Sequence, residues 1–226
     1  MRALFLTVLR PVRAAGELKS RPRWILVFLV LSAASIANHA FMHPYLVEET
    51  VAHLPGSATD VDRETARQGL DSDLAPALAF LPIRLFIGWS AFSLLLFFAC
   101  RSLAPREPVR FLQVFSLEVH AEVTSVIAGI VTTIVTFCAR SGMPAVTPLS
   151  LAGPVGGDQS FMIKSLLTSL NIFTLWYILL LTIAVCTLCN VGRMRAIVIV
   201  LLAWAFSTMC NLGTLKLLHD QLHLVL

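Results

Sequence analysis

Charged residues are scarce in this 226-residue chain, and their scarcity excludes an ordinary soluble protein. Asp, Glu, Lys and Arg together make up 13% of the sequence, whereas hydrophobic residues make up 57%. The water-exposed surface of a soluble domain of this size needs a larger charged fraction. We therefore expect most of the surface of this protein to lie in a lipid bilayer.

The signals of several functional classes are also missing. The chain has five cysteines, an odd number, and all of them lie within or at the ends of apolar runs. Both features argue against a disulfide framework. The Gly-rich stretch 153–158 lacks the Gly-Lys-Ser/Thr ending of a phosphate-binding loop, and the basic N-terminal arm has no recognition module for nucleic acid. No nucleophile and base can be placed at one depth. We expect no enzyme activity, no cofactor and no nucleic-acid partner.

Five long apolar runs predict transmembrane helices. A bilayer core about 30 Å thick is crossed by about 20 helical residues, and these runs are too continuously apolar for the strands of a barrel. The sequence predicts an all-α membrane protein, a five-transmembrane-helix bundle over residues 24–217. Its spans cover residues of about 24–43, 79–100, 111–139, 165–190 and 196–217.

The positions of Lys and Arg predict the orientation of the bundle, because basic residues resist translocation. One side carries Arg2, Arg10, Arg13, Lys19, Arg21, Arg23, Arg101, Arg106, Arg110, Arg193 and Arg195, and the other carries Arg63, Arg67, Arg140, Lys164 and Lys216. We expect a cytoplasmic N-terminus and a C-terminus outside. Residues 1–23 then form a basic amphipathic cytoplasmic segment, residues 44–78 an acidic outer loop, and residues 218–226 a short outer tail.

A polar stripe runs along the third predicted span. In a helix, Glu118, Glu122, Ser125, Thr132 and Thr136 fall on one side. The two glutamates lie roughly 10 Å and 17 Å into the span at 1.5 Å per residue. A carboxylate at such a depth is costly, so the stripe should face the protein interior. A packing seam between helices is our preferred interpretation, and a path for protons or small cations is the alternative.

Two histidine pairs give a second candidate constellation. His39 and His43 lie one helical turn apart near the outer end of the first span, and His219 and His223 repeat that spacing after the fifth. Pairs at this spacing present both imidazoles on one helix face, as metal sites do. The four histidines would bind a metal ion if the two helices are neighbours. Contact with headgroups or water is the competing interpretation.

Two stretches resemble prokaryotic members of the Yip membrane-protein family, named for Ypt/Rab-interacting proteins. One is LRPVRAAGELKSRPRWILVFLVLS at residues 9–32, a basic helix leading into the first span, and the other is SLNIFTLWYILLLTIAVCTL at residues 169–188. Asn171, Phe173 and Trp176 align with the Asn/Asp-x-Phe-x-x-Trp pattern of that family. We expect no counterpart of the long cytosolic N-terminal region of the eukaryotic members, because residues 1–23 lead directly into the first predicted span.

The resemblance implies a non-enzymatic scaffold or membrane-organising partner, multi-pass in the bacterial inner membrane. Its expected partners are the lipid bilayer and either other membrane proteins or further copies of the chain. Two alternatives stay open on the residues alone. One is a transporter or channel that moves protons or small cations along the third-span stripe. The other is a metal-binding membrane protein that uses the outer histidine pairs.

Overall fold

The computed structural model describes residues 6, 7, 9–52, 54, 58–104, 108–138 and 161–225, and of residues 161, 162, 164, 165 and 215–225 it describes the backbone alone. Five helical stretches of the described chain are long and apolar enough to cross a membrane, which confirms the predicted five-helix membrane protein. The helices are α1 (Pro11–Ser20), α2 (Ile25–Ala52), α3 (Asp60–Leu103), α4 (Phe111–Ala121), α5 (Val123–Cys138), α6 (Phe161–Ser169), α7 (Ile172–Cys189) and α8 (Arg193–Val225).

The segment predicted as an outer loop, residues 44–78, is largely helical. Helix α2 continues through Pro44 to Ala52, and α3 already begins at Asp60. Thr59 and Asp62 cap α3 reciprocally, since each side chain accepts a hydrogen bond from the backbone N–H of the other. Such a capping box stabilises a helix start in water, where no lipid supports it. The apolar run therefore gives the length of the membrane span, but the helix extends beyond it.

Two polar contacts join these extensions of α2 and α3, which we name the acidic hairpin (residues 44–52 and 60–76). Arg67 Nη2 lies 3.0 Å from Glu48 Oε2. At the base of the hairpin, His43 Nε2 lies 2.9 Å from Asp71 Oδ1. The side chains of Arg67, Glu48 and Asp71 are largely exposed, so these contacts orient the hairpin more than they stabilise it.

Helices α4 and α5 form one span with a break at Glu122. His120 Nδ1 lies 2.6 Å from the carbonyl oxygen of Ser116, and the Thr124 hydroxyl donates to the carbonyl of Ala121 at 3.0 Å. Side chains that bond to carbonyls of the preceding turn compete with the helical ladder and bend it. The predicted fourth span is also divided, because Asn171 caps α7 and separates it from α6.

The two ends of the bundle differ in charge. The basic end carries α1, the start of α2 and the α7–α8 turn, and the acidic end carries the acidic hairpin. Helix α1 packs on α4 and α7 at the basic end, with Ala14, Ala15 and Leu18 buried beneath it. Gln113 Nε2 donates to the carbonyl of Lys19 at 2.6 Å, which ties α1 to α4. The predicted basic segment is thus part of the folded bundle.

A continuous apolar cluster fills the half of the bundle next to the basic end. Its most deeply buried members include Leu96, Leu181, Val185, Ile199 and Val200, none more than 2% exposed. They come from the last turns of α3 and α7 and the first turns of α8, which all meet at this end. We refer to this region as the packed half.

Candidate functional site

A cavity of about 790 Å³ occupies the other half of the bundle, toward the acidic end. Its wall is mostly apolar, and we name it the polar cavity for the hydroxyl, amide and carboxyl side chains that interrupt this wall. Its walls come from α2, α3, α4, α5, α7 and α8. The lining includes side chains that are rare in a lipid-embedded core, among them Asn38, Thr132, Thr133, Asn171, Ser207 and Asn211. Polar side chains at membrane depth face protein or water-filled space, so this cavity is the candidate functional site.

Glu118 is the most deeply buried acidic group of the cavity lining. Its side chain is only 1% exposed, and its Oε1 accepts a hydrogen bond of 2.5 Å from the hydroxyl of Tyr177. The same carboxyl group is also hydrogen-bonded to the carboxyl group of Glu122, one turn further along. Hydrogen-bond partners compensate a buried carboxyl group for the loss of its hydration. Glu118 is therefore a buried, hydrogen-bonded group at the boundary with the packed half.

Glu122 lies one turn further along, at the break between α4 and α5. It is half-buried and lines the same cavity, and its carboxyl group interacts electrostatically with that of Glu118. Its backbone N–H bonds to the carbonyl of Glu118 at 3.0 Å, so the helix almost continues through the break. Two acidic side chains thus share one wall of the cavity.

Helices α2 and α5 approach each other closely in another part of the cavity wall. The Thr133 hydroxyl donates to Asn38 Oδ1 at 2.6 Å. Gly129 lies one turn before Thr133, and a Cβ atom there would come within 3.1 Å of Asn38 Nδ2. The absence of a side chain at Gly129 lets the Asn38 amide reach α5, and this amide forms part of the polar wall.

Aromatic rings form much of the remaining wall. Trp89, Phe92, Phe173, Tyr177 and Trp204 all line the cavity. The ring centroids of Phe92 and Tyr177 lie 6.0 Å apart, which brings α3 and α7 together beside Glu118. Aromatic rings therefore contribute to the cavity wall beside the polar side chains.

The structure brings most of the predicted stripe into this cavity. Glu118, Glu122, Ser125 and Thr132 line it. Thr136 is half-buried and is not among the lining residues that the structure describes. Helix packing and ion movement would both place the stripe inside the bundle, so its position does not distinguish them. Both interpretations of the stripe stay predictions.

The three residues of the family-like motif have structural roles at the start of α7. Asn171 Oδ1 accepts hydrogen bonds from the backbone N–H groups of Phe173 and Thr174, both at 2.9 Å, and so caps the helix. The Phe173 side chain lines the cavity, and Trp176 packs against the apolar cluster of the packed half. This geometry gives the motif an architectural explanation.

The histidine constellation stays a prediction. His39 is exposed, and His43 is paired with Asp71 of the acidic hairpin. The side chains of His219 and His223 lie outside the described residues. Within the described part of the chain, no group of three or more His, Cys, Asp or Glu side chains is arranged to hold a metal ion.

Sequence reasoning missed Tyr177, which bonds to Glu118, and Asn38, which bonds to Thr133 of the same span. A signal for Tyr177 was present, because the chain contains two tyrosines and this one lies inside an apolar run. A buried tyrosine hydroxyl normally finds a hydrogen-bond partner, and Glu118 is that partner. Asn38 gave a similar signal, because an amide side chain within the first apolar span needs a hydrogen-bond partner on another helix.

Comparison with known proteins gives one match. A family model described as Yip1 domain matches residues 5–214, which is nearly the whole chain and includes all five spans. No curated protein sequence and no solved structure matches the chain.

Proposed function

The chain belongs to the Yip1 domain family, and from this premise we propose that it is a non-enzymatic membrane-organising scaffold of the bacterial inner membrane. The scaffold acts through its basic end, which faces the cytoplasm and gathers anionic lipid headgroups around the bundle. Membrane proteins that prefer anionic lipid are then concentrated beside it.

The observation that supports this function is the fixed array of arginines around α1. Arg10, Arg13, Arg21, Arg23, Arg101, Arg110, Arg193 and Arg195 are all exposed. Helix α1 fixes the positions of Arg10, Arg13 and Arg21, because it packs on α4 and α7 and Gln113 of α4 donates a hydrogen bond to its Lys19 carbonyl. Each basic residue near an anionic membrane surface contributes about 1 kcal/mol of attraction.

The test measures lipid selectivity in vesicles of phosphatidylcholine and phosphatidylglycerol, with spin-labelled phosphatidylglycerol as the probe. We expect the double variant Arg21→Gln/Arg193→Gln to lose selectivity for the anionic lipid by about 1 kcal/mol per arginine. The control Arg63→Gln/Arg84→Gln removes the same charge from α3, away from the basic end, and should lose much less. Equal losses in the two variants would contradict a specific role for the basic end.

A second candidate function is the movement of protons or small cations. The observation that favours it is the shared wall of Glu118, Glu122, Ser125 and Thr132 in one polar cavity. The packed half separates that cavity from the basic end, so transport would require the apolar cluster to open. This favours an alternating-access transporter over an open channel.

Flux into proteoliposomes tests this second function. Glu118→Gln and Glu122→Gln should each abolish the flux while the protein stays folded. Glu64→Gln, a change of an exposed glutamate of the acidic hairpin, is the matched control. Flux that persists in both cavity variants would end the transport hypothesis and leave the scaffold untouched.

A further inference from the structure

Two cysteine thiols meet at the basic end of the bundle. Cys100 lies in the last turn of α3, Cys189 is the last residue of α7, and both belong to the apolar cluster of the packed half. Their thiols are hydrogen-bonded to each other, neither is in a disulfide, and the residues are 0% and 1% exposed. A disulfide needs two cysteines whose β-carbons lie about 4 Å apart. A direct contact between thiols on two helices is the starting arrangement for such a bond.

A third cysteine lies beside this pair and is more accessible. Cys186 lies one turn before Cys189 on α7, close to its thiol, and is half-buried at the edge of the same cluster. Helix α7 ends directly after Cys189, because Asn190 adopts a left-handed conformation with a φ of 50°. Cys186 is therefore about one helical turn from the end of the helix, where a small reagent at the membrane surface can reach it.

The surroundings restrict the chemistry of these thiols. Within the described part of the chain, no group of three or more His, Cys, Asp or Glu side chains is arranged to hold a metal ion, these cysteines included. Buried apolar residues surround the pair, among them Leu96 and Val185, each one turn before a member of the pair. A disulfide between the two thiols needs neither further ligands nor a cavity.

We propose that Cys100 and Cys189 form a reversible disulfide that joins α3 to α7 when a low-molecular-weight disulfide oxidises the protein, and that Cys186 is the thiol that reacts first. Disulfides of proteins that face the cytoplasm are mostly transient and redox-sensing, and a reversible bond at the basic end belongs to that class. A single bond is also compatible with the odd number of cysteines, which argues only against a disulfide framework.

The oxidation proceeds by three thiol–disulfide exchanges. The Cys186 thiolate attacks one sulfur of the reagent and releases a first small thiol. The Cys189 thiolate attacks the Cys186 sulfur and releases the second small thiol. The Cys100 thiolate then attacks the Cys189 sulfur, and Cys186 leaves as a thiol again. In sum, two protein thiols lose two electrons to the S–S bond of the reagent, and their two protons end on the two small thiols.

The bond would fix the ends of α3 and α7 relative to each other. Both helices also line the polar cavity further along the bundle, where Phe92 and Tyr177 are in contact. A covalent link at the basic end therefore opposes any motion that opens the packed half. The inference goes beyond the proposed scaffold and requires neither lipid selectivity nor transport.

The experiment treats the full-length protein in dodecyl maltoside micelles with bis(2-hydroxyethyl) disulfide, a small uncharged reagent. The remaining thiols are then blocked with N-ethylmaleimide in denaturant, and the protein is digested without reducing agent for mass spectrometry. We expect a linked peptide pair that contains Cys100 and Cys189, and we expect dithiothreitol to abolish it.

Variants test the order of the exchanges. Cys186→Ser should slow formation of the Cys100–Cys189 link at least tenfold, because the reagent must then reach a buried thiol directly. Cys138→Ser, which alters an exposed cysteine far along the chain, is the matched control and should leave the rate unchanged. Cys100→Ser should stop the sequence at a link between Cys186 and Cys189.

The linkage map of the wild-type protein decides the proposal even if a variant does not fold. Cys100 and Cys189 that stay reduced while Cys186 is modified would overturn it and leave the pair a packing role alone. Links only between separate protein molecules would overturn it as well. An undiminished rate in Cys186→Ser would overturn the assignment of Cys186 as the first thiol to react.

Discussion

The same membrane-spanning helices build two unlike halves. In the packed half, Leu181, Ile199 and Val200 are completely buried in one apolar cluster. In the other half, α7 and α8 line an open polar cavity with Thr174, Ser207 and Asn211. Apolar side chains therefore fill the interior of the bundle near the basic end, whereas the interior near the acidic end contains a cavity.

The contrast shows where the packing that stabilises the bundle is concentrated. The packed half holds the helix ends and α1 together and gives the bundle a fixed frame. Glu118 and Tyr177 lie at the boundary, where buried apolar packing gives way to polar space. The carboxyl group of Glu118 is buried at that boundary, and Tyr177 holds it in place.

The largest expected effect comes from making a hole in the packed half. We expect Leu181→Ala to lower the free energy of unfolding by about 2–5 kcal/mol, because its side chain is completely buried and the helix ends around it cannot collapse. Met42→Ala, in the wall of the cavity, should cost less than about 1 kcal/mol, since it only enlarges an existing space. Unfolding in mixed dodecyl maltoside and SDS micelles measures both. Similar losses would remove the distinction between the halves.

The next effect concerns the boundary itself. Tyr177→Phe removes the hydroxyl that donates to the buried Glu118 Oε1 and leaves that oxygen without this donor, so we expect a loss of about 1–3 kcal/mol. Tyr45→Phe, at the other tyrosine, is exposed and should change stability by less than about 0.5 kcal/mol. The same micelle unfolding measures both. A neutral Tyr177→Phe would show that this hydrogen bond does not stabilise the boundary.

A third variant tests the close approach of α2 and α5 at the cavity wall. The Cβ atom of Gly129→Ala would lie 3.1 Å from Asn38 Nδ2, so the amide must move and weaken its hydrogen bond with Thr133. We expect a loss of about 1–2 kcal/mol. Gly88→Ala, also in the cavity wall, meets no atom within 4 Å and should be neutral or slightly stabilising. Equal thermal shifts for the two variants would contradict this account of Gly129.

The sequence predicted the spans well, because the bilayer thickness sets a length that apolar runs reveal directly. It did not predict that α2 continues past Pro44, since a helix in water depends on caps and on a partner helix. The capping pair Thr59 and Asp62 was nonetheless readable from the sequence. Composition alone therefore predicts which residues lie in the membrane, but it does not predict where each helix begins and ends.

The cavity was only half predictable, for a different physical reason. Helical periodicity placed Glu118 and Glu122 on one face, and the structure brings both into the cavity. Their neighbours could not be predicted, because Tyr177 is 59 residues away in the chain and helix order within the bundle is not encoded in any local pattern. The packing of α1 on α4 and α7 was missed for the same reason.

The smallest expected effect is local to the rim of the hollow half. Asn171→Ala removes the acceptor for the N–H groups of Phe173 and Thr174, and we expect a loss of about 1 kcal/mol. Asn171→Ser keeps a capping oxygen and should lose only a few tenths of that. Hydrogen exchange gives a sharper readout, because the two uncapped amides should exchange faster while those of Leu181 and Val185 keep their protection. Faster exchange throughout α7 would instead show that the packed half depends on this cap, and the two halves would then be one cooperative unit.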